Sequence, residues 1–174
     1  MPTEADLTTV VRTMTIAAEP RRVYELACQM ERYSGFMQDV NAVTVLQQGV
    51  APDGRRWTIT HWDTSVDGVP IYWWEYDLLD DRELRIEFRL ATMEEAPDAA
   101  NDMDRFEGDW TFEPSAGGTL VTLHVEFDFG IPELKKLIGP TLEIKVGENS
   151  EMMLAGMKAE LEGRCTDGET TRPT

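Results

Sequence analysis

Cysteine, histidine and positive charge are all scarce in this sequence, and each shortage removes a class of function. Of the two cysteines, Cys28 falls in a helical stretch and Cys165 in a polar tail, and neither has a partner at metal-ligand spacing. The two histidines, His61 and His124, fall on opposite strand parities, so no metal constellation forms and no metal is expected. Ala116-Gly117-Gly118 reads as a hairpin turn, and no Gly-x-Gly-x-x-Gly run precedes a helix, which leaves no phosphate loop. Nucleophilic triads are unsupported, and no bound cofactor is expected. Sixteen basic residues face 33 acidic ones for a net charge of −17, which repels phosphate backbones, so nucleic acid is not an expected partner. The same charge weighs against a permanent dock on an anionic membrane. No apolar run is long enough to span a bilayer, and no membrane insertion is expected. The opening MPTEADLTTVV is acidic and polar where a signal peptide is basic and then apolar, which points to a cytoplasmic protein.

What is present suits one domain. A chain of 174 residues can bury roughly two thirds of its unfolded surface and still tolerate a ligand-sized cavity. The domain is expected over residues 8–163, with flexible termini at 1–7 and 164–174. Residues 8–18 are rich in β-branched side chains and read as a strand that Glu19-Pro20 stops. Val23, Leu26, Ala27 and Met30 then recur at helical spacing behind a first-turn proline, and Tyr33, Phe36 and Met37 make a second small apolar face. From Asn41 onward antiparallel strands alternate with turn signals. The alternation is cleanest at Leu84, Ile86, Phe88 and Leu90, and later at Phe106, Gly108, Trp110 and Phe112. Residues 93–104, with Pro97 and no periodicity, read as a mobile loop over one end of the sheet, a candidate lid. The last strand buries Val121, Leu123, Val125, Phe127 and Phe129 and turns His124 to solvent. An apolar stripe from Leu134 through Leu142, Val146, Met153, Met157 and Leu161 makes a long helix, with Gly139-Pro140 and Gly147 as expected kinks or breaks.

The stretch VDGVPIYWWEYDLL, Val66 to Leu79, organises the rest. Asp67-Gly68 is the signal for a two-residue hairpin turn, and it fixes a register in which Val66 faces Val69, His61 faces Trp74 and Trp57 faces Leu78. One face then carries Trp57, Ile59, His61, Asp63, Tyr72, Trp74, Tyr76 and Leu78 and is expected to line a pocket. The other carries Arg56, Thr58, Thr60, Glu75 and Asp77 and is expected in solvent. Trp62 and Trp73 share that outer face, an exposed pair that suggests a dimer contact; monomer and homodimer both stay open.

The order of strand, two short helices, six strands and long helix resembles the polyketide cyclase and aromatase branch of the START-like (SRPBCC) superfamily. The resemblance rests on IAAEPRRVYELACQMERYSGFM, the strand from Trp73 to Asp77, FEGDWTFEP and GTLVTLHVEFDFG. It implies an α+β helix-grip fold, a curved seven-stranded antiparallel sheet with two short helices and a long C-terminal helix around a deep hydrophobic cavity. It further implies a pocket in which a carrier-bound poly-β-ketone undergoes aldol cyclisation and dehydration, with an acyl carrier protein as a candidate partner. Pocket aromatics of the family map to Tyr72, Trp74, Phe106 and Trp110. A family arginine maps to Leu78 and a pocket tyrosine to Val40.

Without that arginine, the chemistry falls to His61, Tyr76 and Tyr72 as proton-transfer groups, since an imidazole is the natural proton carrier near neutral pH. Trp57, Trp74, Leu78, Phe88, Phe106, Trp110, Met153 and Met157 are the expected substrate walls. The alternative is a binding or transport module for a hydrophobic aromatic or isoprenoid molecule.

Overall fold

A computed structural model describes the backbone of residues 7–128 and 132–166 and the side chains of residues 7–128 and 139–163. The termini, Phe129 and the side chains of Lys135 and Lys136 lie outside the described residues, as do the side chains of Cys165 and of Leu134 at the start of the helical stripe. The strands are β1 (Thr8–Ile16), β2 (Val40–Val50), β3 (Arg56–Val66), β4 (Val69–Asp80), β5 (Arg85–Leu90), β6 (Arg105–Ser115) and β7 (Gly118–Asp128). They form one antiparallel sheet in the order β1-β7-β6-β5-β4-β3-β2. Helix α1 (Pro20–Cys28) and a 3₁₀ turn (Met30–Gly35) connect β1 to β2, and α2 (Pro132–Thr166) closes the chain. This is the helix-grip fold.

Local chemistry explains the joints. Pro20 sits in the first turn of α1, where its missing N–H costs nothing, and Val23, Tyr24, Leu26 and Ala27 form the buried face. Asp67 and Gly68 both take positive φ, 51° and 80°, as a two-residue hairpin requires. The β3–β4 register is the one the sequence predicts, from Val66 against Val69 to Trp57 against Leu78.

Its faces are reversed. Thr60, Trp62, Thr64, Trp73, Glu75, Asp77 and Leu79 are buried, whereas Trp57, His61, Trp74, Tyr76 and Leu78 are partly exposed and Tyr72 is exposed. The reason lies one hairpin further on. Four residues, Asp81 to Leu84, separate β4 from β5, so Asp80 pairs with Arg85, Leu79 with Ile86 and Asp77 with Phe88. Cross-strand partners share a face. The buried side of β5 therefore continues into Leu79, Asp77 and Glu75.

The loop at 93–104 serves both faces, and its Met103 lines the cavity between sheet and helix. Ala96 and Ala99 pack on the outer face of the hairpin against Ile59, Trp57, Trp74 and Tyr76. Because β5 stops at Leu90, the first half of β4 lacks a neighbour, and the loop supplies one. Asn101 Oδ1 accepts from Trp74 N at 2.7 Å and Asp102 Oδ2 from Tyr72 N at 2.8 Å. Helix α2 continues through Pro140 and Gly147, so neither position breaks it.

Gly156 of α2 serves close approach. A Cβ at Gly156 would stand 2.2 Å from the carbonyl oxygen of Phe36, a backbone atom just beyond the 3₁₀ turn. Gly156→Ala is expected to destabilise the protein by about 1–3 kcal/mol through this overpacking, read as a lower denaturant midpoint at unchanged m-value.

Candidate functional site

The concave side of the sheet and α2 enclose a cavity with about 100 Å³ of room for the centre of a water-sized sphere, open at one end. Its walls are largely aromatic. Trp62 and Trp73 stack across β3 and β4 with ring centres 5.3 Å apart and planes within 10°. Phe106 lies 5.3 Å from Trp73, Phe88 lies 5.6 Å from Phe106, and Tyr33 approaches Trp62 edge-on at 5.6 Å. Trp110, Leu123 and Val125 continue the wall along β6 and β7, while Leu142, Val146 and Met153 supply it from α2. Such a belt suits a flat, apolar ligand. Trp62 and Trp73 are thus internal, and the exposed pair that suggested a dimer contact does not exist.

Against this apolar lining stands one carboxyl group. Glu75 faces the cavity with only 4% of its surface exposed, and Trp73 Nε1 donates to its Oε2 at 2.8 Å. Burial raises the Glu75 carboxyl well above its ordinary value, and the neighbouring Asp77 carboxylate raises it further. Asp77 is fully buried behind it. Desolvation raises Asp77 as well, offset by hydrogen bonds from Glu75, Thr60 and Thr58. The two threonine hydroxyls donate to Oδ2 at 2.9 and 3.1 Å. Asp77 Oδ1 meets no N–H or hydroxyl donor. The Glu75 carboxyl interacts directly with Asp77, and of the two it is the one whose acid form is the more strongly favoured.

Thr60 is the hub of this arrangement, since its Oγ1 also accepts from Trp62 Nε1 at 3.0 Å. Thr60→Val removes a donor from Asp77 and leaves a buried indole N–H unpaired. The expected loss is about 2–4 kcal/mol, measured by urea unfolding against a Thr60→Ser control that keeps both bonds.

The residues proposed from sequence divide in two. Phe88, Phe106, Trp110 and Met153 line the cavity. Met157 is fully buried in the core but is not part of the lining. His61, Tyr72, Tyr76, Trp57, Trp74 and Leu78 lie on the opposite face of the sheet. There His61 packs on Trp74 at 4.4 Å and on Tyr72 at 6.2 Å, while Tyr76 is sandwiched between Trp57 at 6.1 Å and the Arg89 guanidinium at 4.3 Å. They form an outer aromatic ladder under the 93–104 loop and cannot reach a ligand in the cavity. The family arginine position mapped to Leu78 fails by the same parity, and Val40 is a buried core residue. Missed by the sequence reading were Glu75, Asp77, Trp62, Trp73 and Asn149. The four-residue β4–β5 connection is the signal that places the first four.

At the mouth, Lys145 of α2 pairs with Asp67 of the β3–β4 turn at 2.7 Å and with Glu148 at 3.3 Å. It is therefore not a free basic contact for an acidic carrier. His124 faces outward as expected, between Asp109 at 3.1 Å and Glu126 at 3.3 Å. Among the described residues no cluster of three or more metal-ligating side chains occurs, and no helix is long and apolar enough to cross a membrane.

Comparison with known proteins agrees with this fold. Residues 8–162 match the family described as polyketide cyclase / dehydrase and lipid transport. A solved structure from Thermus thermophilus is 28% identical, with 91% of this chain and 98% of that one covered and a TM-score of 0.74. The ZhuI aromatase/cyclase of Streptomyces sp. R1128 is 19% identical over 95% of this chain and 99% of its own, with a TM-score of 0.78. A START superfamily protein of Mycobacterium smegmatis is 17% identical over 89% and 97%, with a TM-score of 0.71. A search of the curated proteins gives no match.

Proposed function

Because the chain belongs to the polyketide cyclase / dehydrase and lipid transport family, we propose that it is a cofactor-free cyclase and dehydratase of aromatic natural-product biosynthesis. Its substrate is a poly-β-ketone, delivered on an acyl carrier protein or free. The observation that carries the reading is Glu75, a carboxyl group buried in a largely apolar aromatic cavity, where desolvation and Asp77 favour its acid form.

Aldol closure needs a proton at the acceptor carbonyl oxygen and removal of one from the carbon between two carbonyls. The substrate closes from its enol: as the enol carbon bonds to the acceptor carbonyl carbon, Glu75 gives its proton to that carbonyl oxygen and the Glu75–Asp77 pair takes the proton from the enol oxygen, which becomes a ketone. In dehydration the pair protonates the departing hydroxyl and is restored by the α-proton, so each step leaves it with one proton. The stacked tryptophans hold the chain folded, which turns a flexible reactant into a near-attack one and contributes a large part of the rate.

Reconstitution with a minimal polyketide synthase tests this. Addition of the protein is expected to shift the products toward one cyclised aromatic, and His61→Ala, on the outer face, is expected to do the same. An unchanged product distribution overturns the enzyme reading. A second reading is supported by the scarcity of polar groups in the wall and by the transport function in the family description: a carrier for a hydrophobic aromatic or isoprenoid molecule. Tight ligand binding with no product shift would favour it.

A further inference from the structure

Charge in the cavity has one sign at its depth. Among the described lining residues the acidic and basic side chains are Glu75 and Lys145, and Lys145 is engaged at the mouth by Asp67 and Glu148. The groups acting on Glu75 and on Asp77 behind it are each other, Trp73, Thr60 and Thr58, none of them a cation. Two carboxyls thus share a buried site without a counter-charge, which favours either a retained proton or a cation brought from outside. Six aromatic side chains line the same cavity, and the negative face of an aromatic ring attracts a cation. The rim has the same sign. Ser65 N donates to the Asp39 carbonyl at 3.0 Å, which holds Asp39 near the turn that carries Asp67. Burial and then the Asp67 charge raise the Asp39 carboxyl. Asp39, Asp67 and Glu148 therefore stand against one lysine, on a chain whose net charge of −17 draws cations toward it.

We propose that the cavity binds a flat aromatic amine as its ammonium ion, with the buried Glu75 and Asp77 carboxyls as counter-charge and the ring faces of Trp62, Trp73 and Phe106 around the cation. An ammonium group offers positive charge and hydrogen-bond donors together, and the ring that carries it fills the aromatic slot. Its charge takes the place of the acid proton. The ligand keeps its N–H protons, the carboxyl pair becomes anionic, and the displaced proton leaves to solvent. No other group in the wall provides this exchange. Tyr33 of the 3₁₀ turn has its hydroxyl held by the Ala27 carbonyl, and Lys145 of α2 is held by its two carboxylates. Strands β3, β5, β6 and β7 and the 93–104 loop place no titratable side chain in the described lining. A neutral ring of the same shape gains no counter-charge, and a ring bearing a carboxylate is repelled. The inference is independent of the cyclase reading.

Binding of 2-naphthylmethylamine, 2-naphthylmethanol and 2-naphthoate at neutral pH, followed by naphthalene fluorescence, tests the inference apart from any turnover. The unaltered protein is expected to prefer the amine to the alcohol by about tenfold or more and to bind the naphthoate most weakly. Glu75→Gln is expected to lose the preference for the amine and to bind the alcohol within a few-fold of the unaltered protein. Titration calorimetry in two buffers of unlike ionisation enthalpy counts the proton: about one is expected to be released per amine bound to the unaltered protein, and none with the alcohol. Equal affinity for amine and alcohol overturns the proposal, as does a preference that survives in Glu75→Gln or amine binding that releases no proton. The probe comparison and the proton count both stand on the unaltered protein alone. Selectivity for the amine with no product shift on reconstitution overturns the cyclase reading and leaves this inference, and a product shift with equal affinities does the reverse.

Discussion

Glu75→Gln is expected to slow cyclisation by about 10²- to 10⁴-fold, the usual contribution of one positioned acid or base, while the affinity for an aromatic ligand changes only a few-fold. Glutamine keeps the size of the side chain and an acceptor for Trp73 Nε1, whose bond to Glu75 is 2.8 Å long. What it removes is the transferable proton. The expected split is therefore a fall in kcat with KM nearly unchanged. A comparable loss in His61→Ala would point to the outer face, and a Glu75→Gln protein with full activity would remove the acid from the mechanism. The pH dependence follows from the same group. Burial and the Asp77 charge hold Glu75 protonated well above its ordinary value of 4.5, so activity that needs the acid form persists through the mildly acidic range and declines as pH rises past the raised value.

The second large effect is on stability. The folded protein holds a proton on Glu75 at pH values where the unfolded chain, near the ordinary 4.5, has already released it. Between those two values the native state binds more protons than the unfolded state, and stability falls as pH rises. Asp77, also raised, adds to the same slope. Glu75→Gln abolishes the Glu75 contribution, so the variant is expected to be more stable than the parent at neutral and alkaline pH and to show a flatter melting profile there. Glu95 has the opposite sign: Arg89 holds it down at about 2, so its contribution is present above the ordinary value and lost as pH falls toward 2. Melting temperature measured from pH 3 to pH 9 on both proteins checks this. A parent protein whose stability rises through neutral pH in parallel with the variant would contradict a protonated Glu75.

Much of the fold was legible because its signals are local. Asp67-Gly68 demanded a two-residue turn, Pro20 opened a helix, and the alternation through Ile86 and Phe88 marked a half-buried strand. Phe88, Phe106, Trp110 and Met153 reached the cavity for the same reason, since each sits in a segment whose apolar periodicity is unambiguous. The hairpin carried aromatics on both faces, so its own letters could not say which face was inner. Counting rings favoured the face of His61, Tyr76 and Trp74. A pair of acids then looked like solvent lettering, although Glu75 and Asp77 are the most deeply buried carboxyls of the site. The pairing of Leu79 with Ile86 decides the matter, and it depends on the length of one tight connection. The outer ladder was equally hidden, because the loop that covers it carries no periodicity and is held by backbone bonds to Asn101 and Asp102.

Everything proposed for the site depends on Glu75 being a neutral carboxylic acid in its largely apolar cavity at working pH. Infrared difference spectroscopy between the unaltered protein and Glu75→Gln, at neutral pH and again in deuterated water, tests it most directly. A protonated-carboxyl C=O stretch that shifts on deuteration is expected in the unaltered protein and is expected to be missing in the variant. A spectrum in which the difference is an ionised carboxylate band, with no protonated carboxyl lost, would contradict it.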